Sequence, residues 1–259
     1  MSRNERNSQS GQRAIPFSDS IETLAEAAKT CRACDIWSRA TQTVFGEGNP
    51  RAEVMLVGEQ PGNQEDLAGH PFVGPAGKLL DKALLAAGIA RDKIYITNVV
   101  KHFNSTQRGK SRIHKRSNAE EIAACRPWLE AEIATIRPTI VVCLGANAAQ
   151  ALISRDYRVT RQRGELQKSS FGPTITATVH PSSILRAPDG EARHLQMREF
   201  VADLKKIARA LPLAPAATRC FLVATIILPI ATLAVIPSTP FLRRSRALEP
   251  ASRFPEQAW

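Results

Sequence analysis

The chain has 259 residues, with 35 Lys and Arg against 24 Asp and Glu, a net charge of +11 and 43% hydrophobic residues. That length is sufficient for one packed α/β domain with tails, and the positive charge favours a polyanionic partner such as nucleic acid. The polar N-terminus MSRNERNSQSGQRAIPFS has no apolar h-region. It therefore predicts a disordered leader over residues 1–20 and a cytoplasmic protein without structural disulfides.

The middle of the chain alternates short β-rich runs with segments whose apolar residues recur at helical spacing, a pattern typical of βαβ units. The predicted strands are 53–60, 93–100, 139–146 and 174–180, and the predicted helices are 77–89, 118–136, 147–154 and 194–211. This order indicates an α/β domain over residues 21–211 with a mainly parallel four-stranded sheet. Such sheets bind ligands beyond the carboxyl ends of their strands.

The composition changes after Pro212, where a segment rich in apolar residues and Arg follows the last predicted helix. Its apolar run, 221–236, is shorter than the roughly 20 residues that a membrane helix needs, and Pro229 interrupts it. Three interpretations remain: a membrane-surface anchor, a segment packed on the domain, or a poorly ordered appended tail. We favour the last two for residues 212–259.

The five cysteines are unevenly placed. Cys31 and Cys34 form a C-x2-C pair on a predicted early helix, Cys125 lies in ACRPW, and Cys220 falls in the tail. A C-x2-C pair can hold zinc, perform redox chemistry or consist of two buried thiols. Cys143 lies inside an apolar predicted strand, where a cysteine usually serves as a small core residue.

The loop GKSRIHKRS, residues 109–117, places His114 among the cations Lys110, Arg112, Lys115 and Arg116. A charge run of this kind is usually a solvated face or a phosphate-binding strip. Neither use requires a histidine.

Several spaced motifs then agree with one family. They are CRACDIW, VGEQPGNQEDLAGHPFVGPAGKLLD, ITNVVKHF, ACRPWL, VVCLGA and TVHPSSILR. Together they resemble the iron–sulfur uracil-DNA glycosylases of family 4, and the loop GKSRIHK resembles the histidine-bearing KRRIH insertion of the UdgX branch. The resemblance extends from about Cys31 to Leu211. It implies a three-layer α/β/α fold, a 4Fe–4S cluster and a monomer that acts on uracil-containing DNA without an obligate protein partner. Single-stranded DNA is the expected substrate, and double-stranded DNA is left open as a second one.

For the cluster, the resemblance matches Cys31, Cys34 and Cys125 to three of the four family ligands. His102 occupies the position of the remaining cysteine, and histidine ligates iron in some clusters. The alternative is a histidine that lies beside a three-cysteine or zinc site.

For uracil recognition, the resemblance implies that Gln60 forms part of the pocket wall through its backbone and that Phe72 stacks on the flipped base. Asn98 would pair with the Watson–Crick edge, because an amide offers a donor and an acceptor together. His180 would lie by the carbonyl oxygen where negative charge develops. The alternatives are that Phe72 is a core residue, that Asn98 caps a strand end, and that His180 is a buried histidine bonded to backbone.

Around the sugar, the resemblance favours Glu59 as the nearest carboxylate, with Asp66 a weaker candidate that only holds the loop. Leu185 would be the apolar tip of a wedge into the duplex. The residues predicted to contact phosphates of the DNA are Ser182, Ser183 and Arg186. For the two serines, helix capping is the alternative role.

The resemblance also gives His114 a role, because the UdgX branch uses a loop histidine that attacks the sugar and stays attached to the abasic DNA. Arg112 and its neighbouring cations would hold phosphates. Ser111 departs from the KRRIH pattern, but Arg112, Ile113 and His114 retain it. Two further interpretations are a conventional turnover glycosylase of family 4 and a non-catalytic nucleic-acid-binding protein.

Overall fold

The computed structural model of the protein describes residues 15–211, so the first 14 residues of the predicted leader and the predicted tail lie outside the described part. The strands are β1 (Glu47–Gly48), β2 (Val54–Gly58), β3 (Ile94–Asn98), β4 (Ser105–Arg108), β5 (Ser111–His114), β6 (Ile140–Leu144), β7 (Gln167–Lys168) and β8 (Thr174–Thr178). The α-helices are α1 (Ile21–Ala28), α2 (Asn63–Ala68), α3 (Pro75–Ala87), α4 (Ala119–Ile136), α5 (Ala146–Leu152), α6 (Val159–Gln162), α7 (Pro181–Leu185) and α8 (Gly190–Ala210).

The central sheet has the strand order β1-β3-β2-β6-β8-β7. Its four inner strands are parallel, which confirms the predicted core. The predicted count of four strands was too low, because β1 and β7 add antiparallel two-residue edges. Segments this short have no detectable period-2 pattern, so the sequence did not reveal them.

Helices cover both faces of this sheet, as the three-layer prediction requires. All five residues of β2 are buried, and its alternate side chains point to opposite faces. Met55 and Val57 pack with α1, α4 and α5, whereas Val54 and Leu56 pack with α3, α7 and α8. Burial on both faces explains the continuous apolar runs of these strands. No helix in the described range 15–211 is long and apolar enough to cross a membrane.

The C-x2-C pair does not lie on a helix, so that prediction was wrong. Helix α1 ends at Ala28, and Cys31 and Cys34 lie in the connection to a 3-10 turn, Asp35–Ser38. The amides of Lys29 and Thr30 bond to carbonyls three residues back, which tightens and ends the helix. The connection leaves both thiols outside regular helical geometry.

Candidate active site

An open cleft of about 640 Å³ lies at the carboxyl ends of the parallel strands, where the sequence placed the site. All but one of the predicted catalytic and substrate-binding residues line it: Glu59, Gln60, Phe72, Asn98, His114, His180, Ser182, Ser183 and Arg186. Arg112 is the exception. The cleft therefore brings together residues that are up to 127 positions apart between Glu59 and Arg186.

Asn98 and Phe72 converge over Gly58, the last residue of β2. A Cβ atom at position 58 would collide with Asn98 Oδ1 and approach Phe72 Cζ to 2.8 Å. Asn98 is only 2% exposed, and its side-chain amide has no hydrogen bond within the described part of the chain. A nearly buried amide in a cleft wall is available for a polar ligand.

His180 caps helix α7, and its ring tautomer follows from its contacts. The backbone N–H of Ser182 donates to His180 Nδ1 at 3.1 Å, so Nδ1 must be unprotonated and the neutral ring carries its hydrogen on Nε2. Burial, with the nearby charges of Arg186 and His114, lowers the pKa of His180 to about 4. Near pH 7 the ring is therefore a neutral Nε2–H donor. Its centroid lies 5.8 Å from that of Phe72.

The two predicted serines support His180. Ser182 Oγ lies 2.8 Å from His180 Nδ1, and Ser183 Oγ donates to the His180 carbonyl oxygen at 2.8 Å. The helix cap is the histidine itself, not a serine. Arg186 is exposed at the cleft, and Leu185 is half-buried.

Glu59 is held by two residues that the sequence analysis did not select. Asn147 Nδ2 donates to Glu59 Oε2 at 2.5 Å, and the Ser117 amide donates to Oε1 at 3.4 Å. Asn147 follows the carboxyl end of β6. Because parallel sheets bind ligands beyond the carboxyl ends of their strands, its position in the sequence could have identified it. For Ser117 the sequence carries no comparable signal.

The predicted basic loop is a β-hairpin, because β4 and β5 pair antiparallel with His114 opposite Ser105. Residues two apart on a strand share a face, so Arg112 and His114 both lie over buried Phe103. Their distances to the Phe103 ring centroid are 5.3 Å from the Arg112 guanidinium carbon and 6.3 Å from the His114 ring centroid. Ile113 points the other way and is 45% exposed. The hairpin thus turns His114 towards the cleft.

Arg112 is committed within the protein instead of facing a phosphate. Its guanidinium donates to Asp66 Oδ2 at 2.5 Å, to Asn63 Oδ1 at 2.9 Å and to Thr41 Oγ1 at 3.1 Å. Asp66 is fully buried and also accepts from the Thr41 amide. This ion pair fastens the hairpin to helix α2, which agrees with a loop-fixing role for Asp66.

Gln60 closes the base of the hairpin with its side chain, whereas the sequence analysis expected a backbone role. Its Nε2 donates at 3.1 Å to the carbonyl oxygens of Asn104 and Lys115, which flank the hairpin. Its Oε1 accepts from Ser117 Oγ at 2.6 Å. One buried amide therefore bonds to both ends of the segment that carries His114.

A buried ion pair lies directly behind Asn98. Lys101 Nζ contacts Glu132 Oε2 at 2.5 Å and also donates to the Asn98 carbonyl at 2.7 Å. Glu132 accepts further hydrogen bonds from Tyr95 and Thr97. The Lys101 backbone amide donates to Cys125 Sγ at 3.2 Å, so one residue contacts both the cleft and the cysteine region. Lysine is usually exposed, so no sequence signal revealed this pair.

Cys31 and Cys34 lie close enough to Cys125 to contribute to its raised pKa. Burial raises the pKa of Cys125 to about 12, with Cys34 and Cys31 adding to the rise, and burial also raises the pKa of Cys34. Trp128 Nε1 donates to Cys31 Sγ at 3.3 Å. In residues 15–211, no three Cys, His, Asp or Glu side chains are arranged as a formed metal site. The donor set itself, three free thiols with N–H groups aimed at two sulfurs, fits an iron–sulfur group.

His102 keeps one ring nitrogen without a hydrogen bond within residues 15–211. The hydroxyl of Thr43 donates to the Ala28 carbonyl at 3.2 Å, so it must accept from His102 Nε2, 2.9 Å away. The neutral ring then has its lone pair on Nδ1. Metal-ligating histidines commonly donate their other N–H in this way. Burial and the charge of Arg32 lower the pKa of His102 to about 4, which keeps the ring neutral.

Known proteins match most of the described part of the chain. The sequence model described as "Uracil DNA glycosylase superfamily" matches residues 45–205. A type-4 uracil-DNA glycosylase of Archaeoglobus fulgidus is 35% identical over 197 residues, which cover 73% of this chain and 92% of that protein. Another type-4 uracil-DNA glycosylase, from Thermotoga maritima, is 37% identical over 181 residues, covering 70% and 91%. With the parallel sheet and the strand-end cleft already in place, these matches show that the chain belongs to the uracil-DNA glycosylase superfamily.

Proposed function

We propose that this protein excises uracil from DNA and that His114 then captures the abasic sugar. The type-4 relatives support the first part, and the position of His114 in the same cleft as Glu59, Asn98 and His180 supports the second. The single observation that carries the proposal is this convergence of an amide, a neutral imidazole donor, a carboxylate and a second imidazole.

Excision requires the uracil nucleotide to leave the base stack and enter the cleft. There the free amide of Asn98 can donate to a uracil carbonyl and accept from its N–H, while Phe72 offers a ring face. The His180 Nε2–H can stabilise the oxygen on which negative charge develops as the glycosidic bond breaks. Glu59, fixed by Asn147, supplies a carboxylate beside the cationic sugar.

Capture of the sugar balances without an additional reactant. One nitrogen of the His114 ring donates its lone pair to C1′ as the C1′–N bond to uracil breaks, and uracil departs as an anion. The alkylated ring becomes neutral when its other N–H proton passes to solvent. Arg112, Asp66 and Gln60 act as positioning residues, because they hold the hairpin that carries His114.

The proposal includes a 4Fe–4S cluster held by Cys31, Cys34, Cys125 and the Nδ1 atom of His102. When bound, such a group would cross-link three chain segments, since metal binding contributes free energy to folding. The N–H donors to Cys31 and Cys125 would stabilise thiolate sulfur.

A denaturing gel with uracil-containing single-stranded DNA tests this function. The wild type should give a covalent, slowly migrating band. His114→Ala should lose that band but still release uracil, because the cleft of Phe72, Asn98 and His180 remains and water can attack instead. Its abasic product would break under alkali.

Other results would select the alternatives. Free abasic product from the wild type, without a band, would indicate conventional turnover with His114 bound to phosphate. Neither product nor band would indicate a non-catalytic DNA-binding protein. A band that survives His114→Ala would reject His114 as the nucleophile and make Glu59 the next residue to test.

A further inference from the structure

A second cavity, of about 670 Å³, adjoins the cleft on the α4 side of the sheet. We propose that it binds the sugar–phosphate backbone of the substrate strand next to the uracil; this inference rests on the proposed function. We call it the arginine groove, after Arg116, Arg126 and Arg155 in its wall.

The charge of the groove favours phosphate. Its wall contains these three arginines and no Asp or Glu. Arg116 donates to Gln150 Oε1 at 2.8 Å, but an amide does not neutralise its charge. Arg155 is exposed and makes no side-chain hydrogen bond or ion pair within residues 15–211. Arg126 alone is paired, with Glu130 at 2.8 Å. Arginine forks match phosphate oxygens in geometry as well as charge.

The groove is continuous with the reaction site. Asn147 lines both cavities, and Ser117 lines the groove; both donate to the Glu59 carboxylate. Glu59 therefore marks the border between them. Arg116 follows His114 by two residues, so the segment that carries the nucleophile also enters the groove. A strand with its uracil sugar between Glu59 and His114 has its adjacent phosphates near this border.

The shape of the groove suits the sugar–phosphate backbone of a DNA strand. Small apolar residues of α4 and α5, among them Ala119 and Ala151, line it between the arginines. Such a surface admits close approach of a sugar, and phosphate contacts of this kind position DNA without reading its sequence. The competing interpretation is that the arginines are only solvated charges. In that case they would not affect DNA binding more than other surface arginines do.

Binding to a thymine-containing single strand at several salt concentrations tests the groove without excision. Arg155→Gln and Arg116→Gln should each lower the slope of log K against log salt by roughly 0.7, the value for one phosphate contact in a single strand. Arg155 is exposed and makes no side-chain hydrogen bond or ion pair within residues 15–211, so folding should be unaffected. Arg209→Gln, the same charge change on the exposed side of α8, is the matched control and should leave the slope unchanged.

Single-turnover excision locates the contact. Wild-type excision of uracil should slow when the flanking nucleotides on one side of the uracil are removed, whereas the double variant Arg116→Gln/Arg155→Gln should be insensitive to that removal. The wild type and the arginine variants could have equal salt slopes and an equal dependence on flanking nucleotides while the wild type excises uracil. That result would show that the groove does not bind the DNA backbone, and the glycosylase function would stand. If the wild type neither binds this DNA nor excises uracil, both the proposed function and the proposed role of the groove are wrong.

Discussion

At the scale of single residues, Gly58 leaves the space in which the side chains of Asn98 and Phe72 approach each other. The Asn98 amide and the Phe72 ring both occupy the space that a side chain at position 58 would need. Phe72 also has a left-handed backbone, with φ of 56°, which is uncommon for a bulky residue. Backbone strain of this kind persists only where surrounding packing maintains it.

Gly58→Ala should therefore impair uracil excision. The new methyl group must displace Asn98 or Phe72, and overpacking of this kind typically costs about 1–3 kcal/mol. Single-turnover excision should slow, while binding to thymine-containing DNA should change little. Gly190→Ala is the control, because a Cβ atom there meets nothing within 4 Å. Unchanged excision by Gly58→Ala would show that the two side chains do not act together on the base.

His180 links the stability of the protein to pH. Its folded pKa of about 4 lies below the model-peptide value of about 6.5, so the folded state binds the proton less readily than the unfolded state. The stability contributed by the neutral ring is complete above pH 6.5. It is lost as the pH falls from 6.5 towards 4.

We therefore expect that lowering the pH from 7 to 5 destabilises the wild type more than His180→Gln. The difference should approach about 2 kcal/mol in the free energy of unfolding, from the pKa difference. Denaturant melts at the two pH values measure it. His102 titrates in both proteins, so it cancels in the comparison. Identical pH dependence would show that the His180 ring is not held neutral.

At the scale of elements, the Lys101–Glu132 ion pair joins helix α4 to the segment after β3. Both side chains are at most 1% exposed. Lys101 also donates to the Asn98 carbonyl, so the pair supports Asn98 from the side away from the cleft. Breaking a buried pair leaves one uncompensated charge, which costs more than removing both charges.

Lys101→Met should lower the free energy of unfolding by about 3–5 kcal/mol, because it strands the Glu132 carboxylate. Lys101→Met/Glu132→Gln should be more stable than the sum of the two single changes predicts. Glutamine keeps an oxygen for Tyr95 and Thr97 while removing the second charge. Denaturant melts of the four proteins complete the cycle. Strict additivity would show that the two charges do not stabilise each other.

At the scale of the whole molecule, Cys31, Cys34 and Cys125 lie on two segments, the connection after α1 and helix α4. Cys31 and Cys125 are 94 positions apart, yet the charge of one affects the pKa of the other. A cluster held by these cysteines would fasten the two segments and would therefore stabilise the layer that carries α1, α4 and α5.

Anaerobically purified protein should therefore be brown and contain roughly four iron atoms per chain. Cys34→Ala should lose iron, colour and thermal stability together. Cys143→Ala is the control, because that buried thiol belongs to strand β6 and should leave the iron content unchanged. Zinc without iron by elemental analysis would contradict the cluster.

The four parallel strands, the covering helices and the cleft at the strand ends could be predicted from the amino-acid sequence. Periodicity and strand-end position are local properties, so they could be predicted without coordinates. The family motifs also selected the residues that line the cleft, such as Glu59, Asn98 and His180.

Which atoms of those residues are available for a ligand could not be predicted, because it depends on how the layers pack. The Nε2–H tautomer of His180, the pairing of Arg112 with Asp66 and the burial of Lys101 depend on contacts between segments far apart in the chain. No local pattern encodes such contacts, because a side chain's partners and its loss of solvent are set when the layers pack. The arginine groove likewise takes its wall from α4, α5 and the segments next to them, which are separate in the sequence.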